Sequence, residues 1–366
     1  MKIECVRDKL VPILQSVERI ASKNLSLPIL SCIYLEAKDS ELILRTTNLD
    51  VGVEIRVPAK VEVPGVVAIG ASILTSFVAS VTLDKNIKFE LIEGNLKVTT
   101  AHNSTILKAQ PADDFPALPS ISSDDMFLIN SQDFLKGLKS VSYSASVSGV
   151  KPELSSVCVY CEDGNVVFVA TDSFRLAEKK IKARKSKDFG QILIPVKNVV
   201  DIIRVFDGID ADLEIGLSKN QLTITYESIY FVSRVIDGIF PDYKQILPKQ
   251  STTEVVVLKN DLIDALKLSN LFSDKFHQVK ISVSPSSKSF ELKAKSNDIG
   301  ENVRKIDATL EGDDVEVNFN QKYITDCFQS IDADSMSLSL SGLNRPMIIH
   351  PVGGGQFTYL VMPMNR

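Results

Sequence analysis

The chain has 366 residues, of which 44% are hydrophobic and 24% are charged. It is long enough for two or three ordinary domains, and its composition is globular, which excludes collagen, coiled-coil and wholly disordered proteins. The 41 basic and 46 acidic residues give a net charge of −5, which argues against a protein that holds nucleic acid through a dominant basic surface.

The N-terminal segment lacks the pattern of an export signal. Charged residues, among them Arg7 and Lys9, interrupt the stretch in which a signal peptide is continuously apolar. No run of about 18 apolar residues occurs, so we expect no membrane span and no membrane partner. The five scattered cysteines suit a reducing compartment. These features predict a cytoplasmic protein.

A strand followed by an amphipathic helix is predicted three times along the chain. The strands are Lys2–Val6, Met126–Ile129 and Glu254–Leu258, and apolar residues at helical spacing follow each of them. The candidate N-caps of the three helices are Asp8, Ser131 and Asn260, which are 123 and 129 residues apart.

The same order of features continues in each repeat. A second helix is predicted after Ser72, after Lys197 and after Asn320, at offsets of 125 and 123 residues. Alternating segments follow at 87–91, 213–217 and 336–340, and each repeat ends with an apolar residue before proline. We expect three further strands between the two helices of each repeat. Segments rich in serine and proline set the expected domain boundaries at 1–121, 122–250 and 251–366.

Each repeat is therefore expected to be an α+β domain in which two helices pack on curved antiparallel sheet. Tandem domains of this kind leave unpaired strand edges at the two ends of the chain. Two chains joined head to tail would pair those edges and close a ring.

Motifs for catalysis or metal binding are weak. Cys158 and Cys161 form a CxxC motif, but they lie in an apolar, β-branched run, where a spacing of three points two side chains to opposite faces. The three histidines are isolated, and Gly353–Gly355 indicates a hairpin turn instead of a phosphate-binding loop. We expect no cofactor, no metal and no catalytic residue. A hydrolase or transferase that uses carboxylates such as Asp172 is the alternative function.

Three segments resemble a known family. Residues 170–177 (ATDSFRLA), 240–243 (FPDY) and 359–364 (YLVMPM) are similar to the bacterial sliding clamps, the β subunits of DNA polymerase III. The resemblance covers the whole chain in length, repeat order and C terminus. It implies three tandem clamp domains, a ring-shaped head-to-tail homodimer around duplex DNA of any sequence, and a processivity factor of the replicative polymerase that does no chemistry of its own.

The resemblance also implies partners that bind through short linear peptides with a Gln and paired Leu and Phe anchors. These partners are the catalytic subunit of the replicative polymerase, the clamp loader complex, other polymerases and repair proteins, all in the cytoplasm at the nucleoid. The peptide groove is expected to consist of Leu154, Thr171, Ser173, Phe174, Arg175, Leu176, Pro241, Ile246, Leu360 and Met362, extended by Val361, Pro363, Met364 and Asn365. Phe174 stands where the family often has His, and Asn365 alters the usual C-terminal end, so both positions bear on which peptide anchors are preferred.

Two further sets of residues are carried over from the family. The DNA contacts would be Lys23, Asn24, Lys197, Phe276, Asn320 and Tyr323, although Arg is common at the position of Asn24. The subunit junction would place Ile73, Phe77 and Leu107 against Leu271 and Phe272, with Lys97 and Lys108 facing Asp298 and Glu301. Arg304 and Lys305 interrupt the acidic stripe of the third domain, which bears on the strength of ring closure.

Overall fold

The structure is a computed structural model of the chain, and it describes residues 1–21, 27–119, 126–182, 189–218, 220–248 and 250–364. The helices in these ranges are α1 (Arg7–Glu18), α2 (Ala71–Ser80), α3 (Ser131–Val141), α4 (Val196–Phe206), α5 (Lys259–Asn270) and α6 (Gln321–Asp326). Short 3-10 turns cover Pro28–Ser31, Ser142–Ser144, Tyr243–Ile246 and Cys327–Ser330.

The strands alternate with these helices in the order that the sequence repeats suggest. The first repeat contains β1 (Lys2–Val6), β2 (Cys32–Lys38), β3 (Glu41–Thr47), β4 (Val51–Pro58), β5 (Lys60–Val63), β6 (Gly65–Gly70), β7 (Asn86–Ile92), β8 (Asn95–Thr99), β9 (Ser104–Leu107) and β10 (Ala109–Gln110). The second contains β11 (Met126–Asn130), β12 (Ser156–Glu162), β13 (Asn165–Thr171), β14 (Arg175–Lys182), β15 (Ile192–Pro195), β16 (Asp212–Ser218), β17 (Gln221–Tyr226) and β18 (Ile229–Arg234). The third contains β19 (Thr253–Leu258), β20 (Gln278–Ser284), β21 (Ser289–Ser296), β22 (Gly300–Lys305), β23 (Ala308–Gly312), β24 (Val315–Asn320), β25 (Ser335–Leu340), β26 (Met347–Pro351) and β27 (Phe357–Val361).

Two details of the expected repeat are wrong. Between the paired helices, the described residues form five, four and five strands, where the sequence predicted three. The predicted caps Asp8, Ser131 and Asn260 lie inside their helices, which begin directly after a strand.

Backbone carbonyls from distant segments take the place of those caps. The Arg7 amide donates to the carbonyl of Lys85 at 2.8 Å, and the Lys259 amide donates to that of Asp334 at 2.8 Å. At α3 the side chain of Asn130 accepts from the amides of Gln132 and Asp133. A helix can satisfy its first amides in either way, and only the side-chain way leaves a local sequence signal.

The contacts divide the chain into two compact units. The first unit consists mainly of Met1–Leu135 and Lys197–Asp237. It contains a five-stranded sheet in the order β5-β1-β7-β8-β9 and a nine-stranded sheet in the order β10-β6-β2-β3-β4-β18-β17-β16-β11. In the large sheet, five residues of β18 pair antiparallel with five of β4, so strands of the first and second repeats share one ladder.

The second unit consists mainly of residues 136–183, 188–196 and Gly238–Arg366. Its nine-stranded sheet has the order β15-β12-β13-β14-β27-β26-β25-β19-β23, and its four-stranded sheet has the order β22-β21-β20-β24. Five residues of β14 pair antiparallel with five of β27, which joins strands of the second and third repeats. Helices on antiparallel sheets therefore confirm the predicted α+β class.

The core of both units follows the alternation seen in the sequence. On β7, Ile87 and Phe89 are fully buried, and helix α1 buries Leu10, Leu14 and Val17 at helical spacing. Strand β12 is buried on both faces and carries Cys158 and Cys161 as free thiols. Gly353–Gly355 have positive φ values of 87°, 108° and 148° between β26 and β27, which confirms the turn predicted there.

Candidate functional site

A tight turn between β13 and β14 presents Phe174 to solvent. The Asp172 carboxylate accepts from the amides of Phe174 and Arg175 at 2.9 and 3.0 Å, and the Thr171 hydroxyl donates to the Arg175 carbonyl at 2.7 Å. Ser173 takes a positive φ of 78° at the tip of the turn. These bonds leave Phe174 with 60% of its surface exposed, which is unusual for an aromatic side chain.

The Arg175 guanidinium links this turn to helix α6. It donates to Asp172 at 3.0 Å, to Asp326 and to the backbone carbonyl of Tyr143 at 2.7 Å. It also lies 4.7 Å from the centroid of the Tyr323 ring, within the range of a cation–π interaction. Arg175 and Tyr323, which the resemblance assigned to the groove and to the DNA contacts, are therefore in direct contact.

The C-terminal residues run beside the turn. Leu360 and Val361 on β27 pair with Leu176 and Arg175 on β14. Beyond β27 the Met362 amide donates to the Phe174 carbonyl at 2.8 Å, and the Met364 amide donates to the Asn318 carbonyl at 2.8 Å. The tail is thereby held by backbone bonds, while its methionine side chains stay partly exposed.

A buried tyrosine fixes the segment that carries Pro241 and Ile246. The Tyr243 hydroxyl donates to Glu178 on β14 and lies 2.8 Å from the hydroxyl of Tyr160 on β12. Burial raises the pKa of Tyr243 far above its usual range, and the bond to the Glu178 carboxylate raises it further. The 3-10 turn that follows leaves Ile246 with 48% of its surface exposed.

The expected groove residues fall into two classes. Side chains with free surface are Ser173, Phe174, Pro241, Ile246, Met362, Pro363 and Met364, whereas Arg175 is mostly buried. Interior side chains are Leu154, Thr171, Leu176, Leu360 and Val361. Asn365 lies outside the described residues. Tyr143, Tyr243 and Asp326 were not among the expected groove residues. Their contacts with Arg175 and Glu178 join elements far apart in the chain, which leave no local sequence signal.

The expected DNA contacts lie on two helices and a loop. Lys197 near the start of α4 is exposed and forms an ion pair of 2.5 Å with Asp50. Asn320 caps α6 by accepting from the Lys322 amide, and the half-buried Tyr323 lies one turn further on. Phe276 is exposed, with the Lys275 ammonium 5.1 Å from its ring centroid. Lys23 and Asn24 lie outside the described residues.

The expected junction residues lie on helix α2, on or beside strands of the two smaller sheets, and directly after helix α5. In the first repeat, Ile73 and Phe77 are on α2, Lys97 is on β8, and Leu107 and Lys108 are at the end of the edge strand β9. In the third repeat, Leu271 and Phe272 follow α5, Asp298 lies just before the edge strand β22, and Glu301 lies on it. Leu107 is buried within its own chain, whereas its neighbour Ile106 is 60% exposed. On β22, Val303 is 56% exposed. Along β9 the alternation of side chains separates the outward Ile106 from the inward Leu107, whereas nearly all of β22 is exposed.

Nothing in the described part of the chain resembles a metal centre, because it holds no group of three or more His, Cys, Asp or Glu side chains placed to share an ion. Within the same ranges, every helix is too short or too polar to cross a bilayer.

Comparisons with known proteins match this architecture along its length. Family profiles for the N-terminal, central and C-terminal domains of the DNA polymerase III beta subunit match residues 1–119, 128–242 and 244–365. The chain belongs to the family of bacterial DNA polymerase III beta subunits, the sliding clamps. It therefore contains three tandem clamp domains.

Similar proteins come from several bacteria. The chain is 26% identical to the beta sliding clamp of Staphylococcus epidermidis, covering 100% of this chain and 99% of that protein. The solved DNA polymerase III beta subunit of Pseudomonas aeruginosa superposes with a TM-score of 0.95 at 25% identity, covering 100% of both chains. The solved sliding clamp of Bacillus subtilis superposes with a TM-score of 0.94 at 25% identity, covering 100% of this chain and 99% of that one.

Membership of the family settles the choice between the two functions considered from the sequence. The chain is a DNA sliding clamp of DNA polymerase III, a noncatalytic processivity factor. The comparisons give no support to a hydrolase or transferase. In the structure, the Asp172 carboxylate already accepts three hydrogen bonds from its own turn, which is a structural role.

Proposed function

We propose that two copies of this chain close head to tail into a ring that encircles duplex DNA independently of sequence. The observation that carries this proposal is the pair of exposed edge strands, β9 with Ile106 and β22 with Val303. Unpaired edges with outward aliphatic side chains favour association with another chain. Ile73, Phe77, Lys97, Leu107 and Lys108 would support one side of each junction, and Leu271, Phe272, Asp298 and Glu301 the other.

The three clamp domains of each protomer would be residues 1–121, 122–250 and 251–366. The profile matches at 1–119 and 128–242 fall within the first two of these ranges. The third profile begins at residue 244, seven residues before the proposed boundary at 251. The 3-10 turn Tyr243–Ile246 overlaps the start of this interval, and it packs on the second domain through Tyr243.

The surface formed by Phe174, Ile246, Met362, Pro363 and Met364 would receive short linear peptides. Its aliphatic, aromatic and thioether groups suit the Leu and Phe anchors of such peptides, and methionine adapts to more than one partner. The solved clamp of Pseudomonas aeruginosa has been obtained bound to griselimycin, so a clamp of this fold can hold a ligand. The partners would be the replicative polymerase, the clamp loader, other polymerases and repair proteins.

The inner surface of the ring would contact the DNA backbone loosely. Lys23, Asn24, Lys197, Phe276, Asn320 and Tyr323 are the proposed contacts. Retention by encirclement needs little affinity, which agrees with a chain of net charge −5. The site of action would be the cytoplasm at the nucleoid, without a membrane partner.

Retention on circular DNA tests this proposal. A bacterial clamp loader and ATP would place the purified chain on a nicked plasmid, and gel filtration would separate bound from free protein. We expect the protein to elute with the circle and to be released when the plasmid is cut once. Release from both forms, or retention on both, would contradict encirclement.

A pair of matched variants separates ring closure from general damage. Ile106→Asp places a charge on the proposed junction and should abolish retention, with a fall in oligomeric mass at low concentration. Leu343→Asp makes the same change at a turn where the leucine is also exposed, and it should leave retention unchanged.

A further inference from the structure

Two lysines on helices of this chain are held by carboxylates from distant segments. Lys197 on α4 lies 2.5 Å from Asp50, which belongs to the turn between β3 and β4. Lys136 on α3 lies 2.6 Å from Asp332, which follows the last 3-10 turn. The two pairs belong to different compact units, so each forms independently.

Both pairs are exposed to solvent. The side chains of Lys197 and Asp50 keep 68% and 41% of their surface, and those of Lys136 and Asp332 keep 51% and 70%. Exposed ion pairs contribute little to folding, because water and salt screen the attraction. The fold therefore does not need these carboxylates at these positions, and an approaching anion can reach both lysines.

Among the described residues, neither carboxylate has a second ion pair as short as these. The described contacts of Asp50 other than this pair are made by its backbone, whose carbonyl accepts from Arg234 and whose amide donates to Asn48. The Asp332 pKa is lowered mainly by its hydrogen bond to Lys136. Lys136 is therefore the main partner of Asp332, with weaker charge attraction from Lys179 and Lys259, and Lys197 is the described partner of the Asp50 carboxylate.

We propose that Asp50 and Asp332 compete with DNA phosphates for Lys197 and Lys136, and so lower the affinity of the clamp for the duplex. This inference rests on the proposed function, in which Lys197 contacts DNA, and it adds Lys136 to the proposed contacts. A phosphate that binds one of these lysines must first displace its carboxylate. When the phosphate leaves, the carboxylate pairs with the lysine again. Lysine–phosphate contacts therefore form and break easily as the duplex moves.

The proposal also predicts a reduced dependence on salt. Each lysine–phosphate contact normally releases counterions from DNA, which contributes a slope of about −0.9 to log K against log salt. A displaced carboxylate attracts a cation from solution, and this uptake offsets part of the counterion release from DNA. Removal of the carboxylate should restore the full slope for that contact.

The experiment measures binding of a fluorescein-labelled duplex of about 30 base pairs, of arbitrary sequence, between 20 and 150 mM NaCl. Asp50→Asn and Asp332→Asn should each raise affinity by about two- to fivefold at low salt, the range expected from an exposed ion pair. Each should also steepen the salt slope. Thermal unfolding of the variants should match the parent, since the backbone contacts of Asp50 are kept.

Controls separate this competition from a change in net charge. Asp163→Asn makes the same change in charge at the turn between β12 and β13, and should leave affinity and slope unchanged. In a Lys197→Ala background, which itself weakens binding, Asp50→Asn should have no further effect.

The outcomes bear on different claims. The inference is overturned if Asp50→Asn and Asp332→Asn bind like the parent, if Asp163→Asn has the same effect, or if the effect of Asp50→Asn survives in the Lys197→Ala background. Loss of retention of the parent protein on nicked circular DNA would overturn the proposed function instead.

Discussion

Asp172 is the residue that determines the shape of the exposed turn. Its two oxygens accept from two backbone amides and from the Arg175 side chain. The side chain is mostly buried, so the bonds it makes are protected from water. A carboxylate in this arrangement orders the main chain around Phe174, and the proposed peptide surface would depend on that order.

Replacement of Asp172 should therefore weaken both folding and peptide binding. We expect Asp172→Ala to lower the free energy of unfolding by about 1–3 kcal/mol, since it leaves partly buried donors unpaired. Binding of a fluorescent peptide with one Gln and a Leu–Phe pair should fall about tenfold, equivalent to about 1.4 kcal/mol. Denaturant unfolding and fluorescence polarisation measure the two effects.

Asp172→Asn is the matched variant for this prediction. It keeps an oxygen that can accept from the Phe174 and Arg175 amides, and it loses the charge that faces the guanidinium. Its losses should be smaller than those of Asp172→Ala in both measurements. Equal losses in the two variants would contradict the hydrogen-bonding role of the turn.

At the scale of single elements, the sequence identified helices and strands better than their boundaries. Apolar spacing is sufficient to place α1, α3 and α5, because the buried stripe is a local pattern. The start of α1 depends on the Lys85 carbonyl and that of α5 on the Asp334 carbonyl. Such caps come from residues more than 70 positions away, and no local residue preference reports them.

A buried hydrogen bond between Tyr243 and Glu178 anchors the 3-10 turn Tyr243–Ile246. Tyr243→Phe would remove the donor to Glu178, which is itself buried. We expect a loss of about 1–3 kcal/mol in unfolding free energy, because a buried acceptor loses its partner. Urea unfolding checks this, with Tyr226→Phe as the control, since the Tyr226 hydroxyl bonds to the exposed Glu227.

Tyr243 and its hydrogen-bonded neighbour Tyr160 predict how stability changes at alkaline pH. Burial raises the pKa of Tyr160 and of Tyr243, so the folded chain keeps these protons longer than the unfolded chain. Their contribution is complete below the ordinary tyrosine pKa of about 10 and falls as the pH rises above it. Tyr243→Phe should unfold with a shallower loss between pH 9 and 11, and an unchanged slope would contradict this assignment.

At the scale of the whole molecule, the internal repeat indicated three domains, and the family profiles match three. The repeat did not indicate which strands would share a sheet. Val53 pairs with Phe231, and Ala177 pairs with Tyr359, each across a boundary between repeats. Alternation tells which face of a strand is buried, but it does not specify the neighbouring strand. Local sequence patterns therefore could not predict that β4 pairs with β18 and β14 pairs with β27.

These shared ladders predict that the central domain is not independent. A fragment of residues 126–248 would keep β11 to β18 but would expose the edge of β18 that pairs with β4 and the edge of β14 that pairs with β27. Unpaired edges bind other chains. We expect the fragment to self-associate and to unfold at lower denaturant concentration than the full chain.

Sedimentation and hydrogen exchange test this expectation together. In the full chain, the β14 and β18 amides that donate across the two ladders should exchange slowly, because local opening must break a ladder inside a large sheet. In the fragment these same amides should exchange at least about tenfold faster, which corresponds to a loss of about 1.4 kcal/mol of local stability, while those of the internal pair β12 and β13 change less. A monomeric fragment with full-chain protection at β14 and β18 would mean that the ladders across the repeat boundaries add no stability to the central domain.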